Sequence, residues 1–302
     1  VVYIQLQDRL TKHDISERFQ SGFKSCHSTE TALLRVSNDL LLAVDSGAST
    51  VVILLDLTAA LDTVDHRVLL SRLEQSVGVK GTALSWFRSY LGGRSFSVQL
   101  GQCSSSEAPL KHGVPQGSVL GPLLFSLYLL PLGSTFRKYN VSFHCYADDI
   151  QIYVPLKSGG AEGLGNVQKC LAEIKSWMEL NFLCLNKNKT EVFVFGKTDL
   201  LTGCCSAVGP LDPSDAPFIR NLGVNLYRQF KFDRQVSAVV QSSFYHLRLL
   251  IKVKPYLPPY SVEQVIHAVI FSRLDYWNSL YSGIDRLCSA VSSRFRIRRP
   301  AC

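Results

Sequence analysis

The segment from Val51 to Leu55 is an unbroken run of β-branched residues and leucine that stops at Asp56. A short run of this kind predicts a strand that is buried on both faces of a sheet. The rest of the chain must then cover both faces, and a carboxylate must lie where the buried strand ends. With 46% hydrophobic and 19% charged residues among 302, the chain has the composition of a globular protein with a sizeable core.

A hairpin with two more aspartates at its tip is predicted further along the chain. Apolar residues alternate with polar ones from Val141 up to the stretch Tyr146 to Asp149, and they alternate again from there to Val154. Taken alone, the pair Asp148-Asp149 is more often a polar turn, and Asp56 alone fits the N-cap of a helix.

Helical periodicity is found between the predicted strands. Ser28, Asp65 and Thr82 are predicted N-caps, because each precedes apolar residues at helical spacing. Arg94 to Leu100 alternates like a half-buried strand. The apolar run Val119 to Leu132 is too short to span a bilayer and predicts a buried helix.

The order of the elements predicts an α+β fold with helices on one face of an antiparallel sheet. A helix over Leu164 to Met178 and a strand over Glu191 to Phe195 complete this part. After Phe230 only helical patterns follow, over Asp233 to Val253 and Ser261 to Leu280.

The net charge and the cysteine pattern limit the expected partners and the expected cellular setting of the protein. The formal net charge of +8 suits polyanionic partners, because Lys and Arg that neutralise phosphates release counterions. The nine cysteines include no C-x-x-C pair, and the adjacent Cys204 and Cys205 have no histidine beside them. We therefore expect a reduced, intracellular setting and no zinc site. The N-terminus lacks the pattern of a secretory signal.

A two-metal nucleotidyl-transfer site requires residues of the kind that this chain has in Asp56, Asp148 and Asp149. Such a site needs carboxylates from separate strands that hold two cations about 4 Å apart. The hairpin would supply them if it lies beside the strand of Asp56. Carboxylates among apolar strands are costly unless cations pair with them. From these residues alone, the polar-turn and metal-site interpretations both stay open.

Three stretches that occur in order carry a resemblance: DLTAALDTVDH (Asp56 to His66), HGVPQGSVLGPLLF (His112 to Phe125) and YADD (Tyr146 to Asp149). They resemble the successive A, B and C motifs of the reverse transcriptases of LINE-type (non-LTR) retrotransposons. The flanking stretches FQSGFKSCHSTETAL, NFLCLNKNKTEV and NLGV are similar to the same family. The resemblance extends from the start of the chain to about Gly283.

The resemblance implies a right-hand polymerase: partial fingers and palm over residues 1–228, a helical thumb-like region over 229–283 and a divergent tail, expected to be disordered, over 284–302. It implies an RNA-directed DNA polymerase that extends a primer 3′-hydroxyl with two Mg²⁺ ions, or with Mn²⁺ in their place. The expected partners are an RNA template, a DNA primer and deoxynucleoside triphosphates, with no membrane, in the cytoplasm or nucleus.

By the same resemblance, Asp56 and Asp148 bind both metals, Asp149 assists, and the backbone carbonyl of Leu57 completes one metal shell. The other expected site residues are Leu61, Gln116, Gly117 and Lys189 for the nucleotide, Leu222, Gly223 and Val224 for the primer grip, and Arg234, Arg248, Lys252 and Lys254 for the nucleic-acid backbone. Lys189 also fits a solvated turn lysine. Tyr146 is expected to position the primer end, to fill space against the sheet, or to do both.

Three departures from the family pattern bear on activity. Leu61 stands where the family usually has an aromatic ring that excludes a ribose 2′-hydroxyl, so selectivity for deoxynucleotides is open. The finger segment and endonuclease domain that precede this region in full-length elements are expected to be absent, and the end of the chain diverges. We expect a truncated copy with reduced activity. An inactive nucleic-acid-binding remnant is the alternative, whereas the GVPQGSVLGP match disfavours an RNA-templated RNA polymerase.

Overall fold

The computed structural model describes residues 1–156, 161–196, 216–228 and 232–276. Contacts between Cα atoms divide the chain into a first unit, Val1–Ala32 with Leu42–Ser214, and a second unit, Leu33–Leu41 with Asp215–Cys302. The predicted tail, the end of the last predicted helix and the pair Cys204-Cys205 lie outside the described residues. The functional division at residues 228 and 283 stays a prediction.

Helices and short strands surround one larger sheet in the first unit. In chain order, the elements up to the end of this unit are α1 (Val2–Lys12), α2 (Thr29–Asp45), β1 (Ser49–Leu55), α3 (His66–Gln75), α4 (Gly81–Leu91), β2 (Arg94–Phe96), β3 (Gln99–Leu100), β4 (Cys103–Ser104), β5 (Ala108–Leu110), α5 (Gly121–Leu129), α6 (Leu132–Lys138), β6 (Ser142–Tyr146), β7 (Asp149–Leu156), α7 (Ala161–Leu180) and β8 (Glu191–Phe195). The middle of α2 clusters with the second unit.

The larger sheet has the strand order β6-β7-β1-β8, and every neighbouring pair is antiparallel. The predicted hairpin is therefore confirmed, and it lies directly beside the strand that ends at Asp56. Ile53 of β1 pairs with Ile152 of β7 on one side and with Val192 of β8 on the other. The central position of β1 explains why its sequence is apolar from Val51 to Leu55.

Both faces of β1 are buried, as its sequence predicts. Val51, Ile53 and Leu55 contribute to the main core together with apolar side chains of α3, α4, α5 and α7. On the opposite face, Val52 and Phe193 are also buried. Polar residues in the middle of the hairpin, His144 of β6 and Gln151 of β7, are buried too, since β7 is covered along almost its whole length.

Two of the three predicted helix caps are confirmed. Ser28 forms a capping box with Thr31 at the start of α2, and the Asp65 carboxylate accepts hydrogen bonds from the backbone N–H groups of Arg67 and Val68 in the first turn of α3. The prediction for Thr82 is wrong. Helix α4 begins at Gly81 after Lys80, and no side chain caps it.

The half-buried strand predicted over Arg94 to Leu100 is also wrong. The stretch is divided between β2, which pairs with β5, and β3, which pairs with β4. Val98 is 64% exposed and Leu100 is 83% exposed. Alternating apolar and polar residues indicate a pleated backbone. They do not indicate whether another layer of the fold covers the apolar side of the strand.

The buried helix predicted over Val119 to Leu132 is interrupted. Helix α5 covers Gly121–Leu129 and a second helix, α6, starts after Pro131. Val119 lies outside the helix and is 72% exposed. Proline suits the first turn of a helix, where its missing N–H costs nothing, and Pro122 and Pro131 mark the two starts.

The second unit has a small hairpin and a group of helices. Its elements are β9 (Phe218–Asn221), β10 (Val224–Tyr227), α8 (Asp233–Val253), a 3₁₀ turn (Lys254–Tyr256), α9 (Pro259–Ile266), a π-helical turn (His267–Phe271) and α10 (Ser272–Asp275). The helix predicted over Asp233 to Val253 is confirmed with the same first and last residues. The helix predicted from Ser261 begins two residues earlier, at Pro259. None of the helices in the described ranges is long and apolar enough to cross a membrane.

A buried tyrosine connects three elements beneath the sheet. The Tyr128 hydroxyl donates to the backbone carbonyl of Asn181 at 2.6 Å and accepts from the backbone N–H of Asp65 at 3.4 Å. Arg72 lies over the Tyr128 ring and donates to the backbone carbonyl of Tyr128 and to the side chain of Asn181. Desolvation lowers the pKa of Arg72 to about 10.

We expect Tyr128→Phe to lower the free energy of unfolding by about 1–3 kcal/mol, because it leaves the buried carbonyl of Asn181 without this donor. Urea denaturation measures the loss. Tyr245→Phe is the matched control, since Tyr245 is 59% exposed, and a change within about 0.5 kcal/mol is expected there. An equally small change in Tyr128→Phe would contradict this role of the hydroxyl.

Candidate active site

Asp56 lies just after β1, where the chain continues to pair with residues 184–186. Thr58 donates its N–H to the Cys184 carbonyl, and Asn186 donates its N–H to the Asp56 carbonyl, both at 2.9 Å. These bonds fix the backbone on either side of Leu57. The Asp56 side chain remains partly exposed, with 30% of its surface accessible.

The same two hydrogen bonds determine the direction of the Leu57 carbonyl. Leu57 and Leu185 form an antiparallel bridge whose hydrogen bonds run through the flanking residues. In such a pair, the N–H and C=O of the bridged residue point away from its partner. The Leu57 carbonyl therefore faces the side of β1 on which β7 lies. The predicted metal-ligand carbonyl is directed toward the hairpin.

The hairpin places Asp148 in the turn and Asp149 at the first position of β7. Tyr146 pairs with Asp149, so Ala147 and Asp148 form the connection. Ala147 has φ of +57°, in the left-handed region. Leu55 pairs with Ile150. One position further along both strands, the register brings Asp56 next to Asp149.

The three carboxylates interact electrostatically. The pKa of Asp149 is raised to about 6, first by desolvation and then by the negative charges of Asp148 and Asp56, while Lys189 opposes the shift. Asp149 has this raised pKa although its side chain is exposed in part. Lys189 Nζ lies 3.9 Å from Asp56 Oδ2. The lysine thus supplies a positive charge beside one member of the cluster.

The donor set suits a hard divalent cation. Carboxylate and carbonyl oxygens are the ligands that Mg²⁺ prefers. The raised pKa of Asp149 reflects first its desolvation and then the negative charges of Asp148 and Asp56, which a cation would neutralise. Within the described part of the chain, no three His, Cys, Asp or Glu side chains are grouped so that they could hold a metal ion as they stand. The cluster brings the predicted oxygen donors to one edge of the sheet without closing them around an ion.

The loop before α5 is hydrogen-bonded to the segment after Asp56. Val114 donates its N–H to the Leu61 carbonyl at 2.9 Å, and Gly113 donates to the Val64 carbonyl at 2.8 Å. His66 donates from Nε2 to the Gly113 carbonyl at 2.7 Å. Two of the stretches that carry the resemblance therefore form one continuous unit in space.

Gln116 and Gly117 lie on the exposed part of this loop. Gln116 donates from Nε2 to Asp62 Oδ1 at 2.8 Å. No local sequence signal connects these two residues, which are 54 positions apart. Gly117 has φ of +73° with open space around it. Its backbone conformation is therefore sufficient reason for a glycine.

Leu61 is partly buried and packs against the main core.

The other predicted nucleotide residue, Lys189, lies in a turn and donates its own N–H to the Asn186 carbonyl. Its side chain is 69% exposed. This exposure agrees with the interpretation of Lys189 as a solvated turn lysine. In addition, Lys189 makes a charge interaction with Asp56.

The predicted primer grip is the turn of a tight hairpin in the second unit. Leu222 and Gly223 connect β9 and β10, and both have positive φ values of +43° and +86°. Two consecutive residues with positive φ are typical of a two-residue type I′ turn. Tyr276 donates its hydroxyl to the Leu222 carbonyl at 2.8 Å. The Val224 side chain is fully buried, so only its backbone can face a ligand.

The four cationic residues predicted to follow a nucleic-acid backbone are all exposed, three on α8 and one just after it: Arg234, Arg248, Lys252 and Lys254. Arg234 and Lys252 are about five helical turns apart, and Arg248 lies about one turn before Lys252. The three α8 cations therefore share one face of the helix. A row of this kind suits contact with regularly spaced phosphates.

Residues 4–226 match the family model described as reverse transcriptase (RNA-dependent DNA polymerase). Among curated Drosophila melanogaster proteins, the chain is 27% identical over 255 residues to the probable RNA-directed DNA polymerase from transposon BS, with 82% of the chain and 28% of the relative covered. It is 30% identical over 244 residues to the RNA-directed DNA polymerase from mobile element jockey, with coverages of 77% and 26%. The chain thus spans about a quarter of these relatives.

Solved telomerase structures share the fold. The chain superposes on telomerase from Candida albicans in complex with a TWJ fragment of telomeric RNA with a TM-score of 0.55 and 15% identity, covering 97% of this chain and 47% of that one. For apo telomerase from Candida tropicalis, truncated from its C-terminal domain, the TM-score is 0.54 with 14% identity and coverages of 75% and 43%. At this identity the likeness concerns architecture alone, and it confirms the predicted polymerase palm.

The raised pKa of Asp149 predicts a pH-dependent stability in metal-free protein. Because the folded state holds this proton more tightly than the unfolded state, stability should fall as pH rises from about 4 through about 6. Asp149→Asn should remove that loss. After discounting for solvent screening, we expect the variant to be more stable than the parent by about 1 kcal/mol at pH 8.

Chemical denaturation with a chelator present, repeated between pH 4 and pH 8, measures this difference. At pH 4 the two proteins should have the same stability. Asp8→Asn, which removes an exposed carboxylate of α1, corrects for the change in net charge. A gain for Asp149→Asn that is equal at all pH values would show that the ionisation of Asp149, with its desolvation and its repulsion by Asp148 and Asp56, is not the cause.

Proposed function

This chain belongs to the reverse transcriptase family, in its LINE-type (non-LTR) branch, and we propose that it is a polymerase domain that extends a primer 3′-hydroxyl on an RNA template. The observation that carries the proposal is the meeting of Asp56, Asp148 and Asp149 at one edge of the antiparallel sheet. Their mutual influence on the pKa of Asp149 supports a cation site there.

Asp56, Asp148 and the Leu57 carbonyl would hold two Mg²⁺ ions, with Asp149 assisting. Ions bound there would lower the pKa of the primer hydroxyl and neutralise charge on the triphosphate and leaving oxygen. The protein's part is to fix the oxygen donors on two paired strands. Asp149 must be ionised to contribute fully, and a bound cation favours that form. Mn²⁺ has a similar preference for oxygen ligands and would serve as a substitute.

The incoming nucleotide would lie against the segments that hydrogen bonds join near Asp56. Gln116, hydrogen-bonded to Asp62, and the exposed backbone at Gly117 would contact a base pair. Lys189 would meet the triphosphate, because its charge lies beside Asp56 and its side chain is largely exposed. Leu61 would lie beneath the sugar. Its partial burial leaves part of the side chain available for that contact.

The second unit would bind the primer and the duplex. We assign the primer grip to the turn at Leu222 and Gly223 with the backbone of Val224, and duplex contacts to the cationic face of α8 with Lys254. This assignment keeps the division of residues 1–228 as fingers and palm and 229–283 as a thumb-like region. The proposed partners are an RNA template, a DNA primer and deoxynucleoside triphosphates, in an intracellular setting.

An inactive nucleic-acid-binding remnant of the same fold is the second candidate. The net charge of +8 and the exposed cations of α8 would serve binding alone as well as they serve catalysis. The two candidates differ in one measurable respect, since only an enzyme depends on the three aspartates for product.

We expect the protein to extend an annealed DNA primer on an RNA template with Mg²⁺ and deoxynucleotides, and Asp148→Asn to lose at least about a thousandfold in rate. A metal-held carboxylate supports several kcal/mol of transition-state charge stabilisation, which corresponds to a loss of this size. Gel analysis of extended products measures the rate. Duplex binding should be retained in the variant.

Asp45→Asn is the matched control, because Asp45 is an exposed aspartate at the end of α2. It should extend primers as the parent does. Equal extension by the parent and Asp148→Asn would remove the assignment of the metal site. Binding without any extension by the parent would favour the remnant.

Leu61→Phe should sharpen selection against ribonucleotides. A ring in place of leucine would fill the space beneath the sugar where a 2′-hydroxyl fits, and a change of this size is worth about 10- to 200-fold in discrimination. The ratio of kcat/KM for deoxy- and ribonucleotides, in parent and variant, measures it.

Leu70→Phe adds the same volume at another partly buried position that packs against the same core, on α3. It controls for the strain of overpacking, which costs about 1–3 kcal/mol. The same discrimination in Leu61→Phe and Leu70→Phe would contradict a role of residue 61 in sugar selection.

A further inference from the structure

The segment 19–22, called here the edge segment, adds itself to the sheet beside β6. Cys145 donates its N–H to the Phe19 carbonyl at 2.8 Å, and Ser21 donates its N–H to the Cys145 carbonyl at 2.9 Å. Gln20 and Cys145 form a parallel bridge. Ser21 Oγ also lies 2.9 Å from Nε2 of the buried His144. The edge segment thus runs alongside the strand that leads into the aspartate turn.

The side chain of Gln20 reaches from the edge segment into that turn. Its Oε1 accepts from the Ala147 N–H at 2.9 Å and from the Gly22 N–H at 2.8 Å. Its Nε2 donates to the Ala147 carbonyl at 3.0 Å. Both backbone polar groups of Ala147 are therefore satisfied by one side chain. Gln20 is only 7% exposed, so these bonds are made away from competing water.

Gly22 permits the close approach that this clamp requires. A Cβ built on Gly22 would lie 2.1 Å from the Ala147 nitrogen and 2.7 Å from its Cα. Both atoms belong to the backbone and cannot move aside without displacing the turn. The edge segment and the turn are in direct backbone contact, and the glycine is required for space.

Ala147 needs such support because of its conformation. Its φ of +57° is unfavourable for a residue with a Cβ atom, and residues of this kind persist where the surroundings hold them. Asp148 follows immediately, so the two peptide planes that Gln20 holds set the direction in which the Asp148 side chain leaves the turn. An apolar side chain of similar volume would fill the space without holding either plane.

We propose that Gln20 is a positioning residue for Asp148, which fixes the left-handed turn at Ala147 and thereby directs the carboxylate toward Asp56. The proposal rests on the proposed function in so far as Asp148 is taken to bind a catalytic cation. When a residue that orients a metal ligand without binding the metal itself is replaced, metal affinity typically changes by about 10- to 100-fold.

The test compares Gln20→Met with Ser21→Ala. Methionine keeps the length of glutamine and loses all three hydrogen bonds, whereas Ser21→Ala removes a buried hydrogen bond between the same two segments without touching Ala147. Three quantities are measured for each folded variant: Mn²⁺ affinity by electron paramagnetic resonance without nucleic acid, hydrogen exchange of peptides covering 143–149, and primer extension on RNA.

We expect Gln20→Met to weaken Mn²⁺ binding by at least about tenfold and to speed exchange in the turn, with Ser21→Ala within about twofold of the parent in Mn²⁺ affinity. Gln20→Glu should fall between parent and Gln20→Met, because it keeps an acceptor for the N–H groups but loses the donor to the Ala147 carbonyl. Ala147→Gly added to Gln20→Met should recover part of the affinity, since glycine adopts this φ at no steric cost.

Equal losses of Mn²⁺ affinity in Gln20→Met and Ser21→Ala would overturn the proposal and leave Gln20 as a general contributor to stability. Unchanged Mn²⁺ affinity in folded Gln20→Met would overturn it as well, as would a parent that binds no Mn²⁺ at these aspartates. A parent that binds Mn²⁺ through Asp148 but extends no primer would refute the polymerase function. In that case the dependence of Mn²⁺ affinity on Gln20 would still decide the positioning role.

Discussion

Like charges held together at the end of a buried sheet are the constraint on which the rest of this molecule depends. Asp56 and Asp149 occupy neighbouring positions because β1 and β7 pair in one register, and Asp148 precedes Asp149 directly. Desolvation and mutual repulsion raise the pKa of Asp149, so the metal-free arrangement is less stable than it would be with neutral side chains. Such an arrangement persists only where the surrounding fold holds it in place.

The surrounding fold supplies that stability from both sides of the sheet. The strands that carry the aspartates are apolar and buried on both faces, and the helices beneath them share one core with β1 and β7. The three carboxylates and the left-handed Ala147 lie where the chain leaves this core. Strain of this kind is found at functional sites because a rigid scaffold over-determines it.

Much of this scaffold could be predicted from local sequence. The run before Asp56, the alternation around Tyr146 to Asp149 and the helix over Asp233 to Val253 each carry their own periodicity, and the structure contains them. The failures have a common cause. Arg94 to Leu100 alternates correctly but no layer covers it, and Thr82 is a suitable cap that the helix does not use. Burial and capping depend on what the rest of the chain places nearby, which periodicity does not contain.

The same limit applies more strongly to the site, because its side chains are held by long-range hydrogen bonds. Gln20 and Ala147 are 127 positions apart, and Asp62 and Gln116 are 54 positions apart. In both pairs, the polar residue has no distinguishing feature in the sequence. It acquires its role only because the fold brings it next to a backbone or side-chain group that must be oriented. A motif therefore points to the candidate ligands, whereas a residue that would orient them is recognised only in the structure. Since a small change in direction would move a carboxylate away from a bound cation, we expect the orienting residues to change metal affinity although they contact neither metal nor substrate.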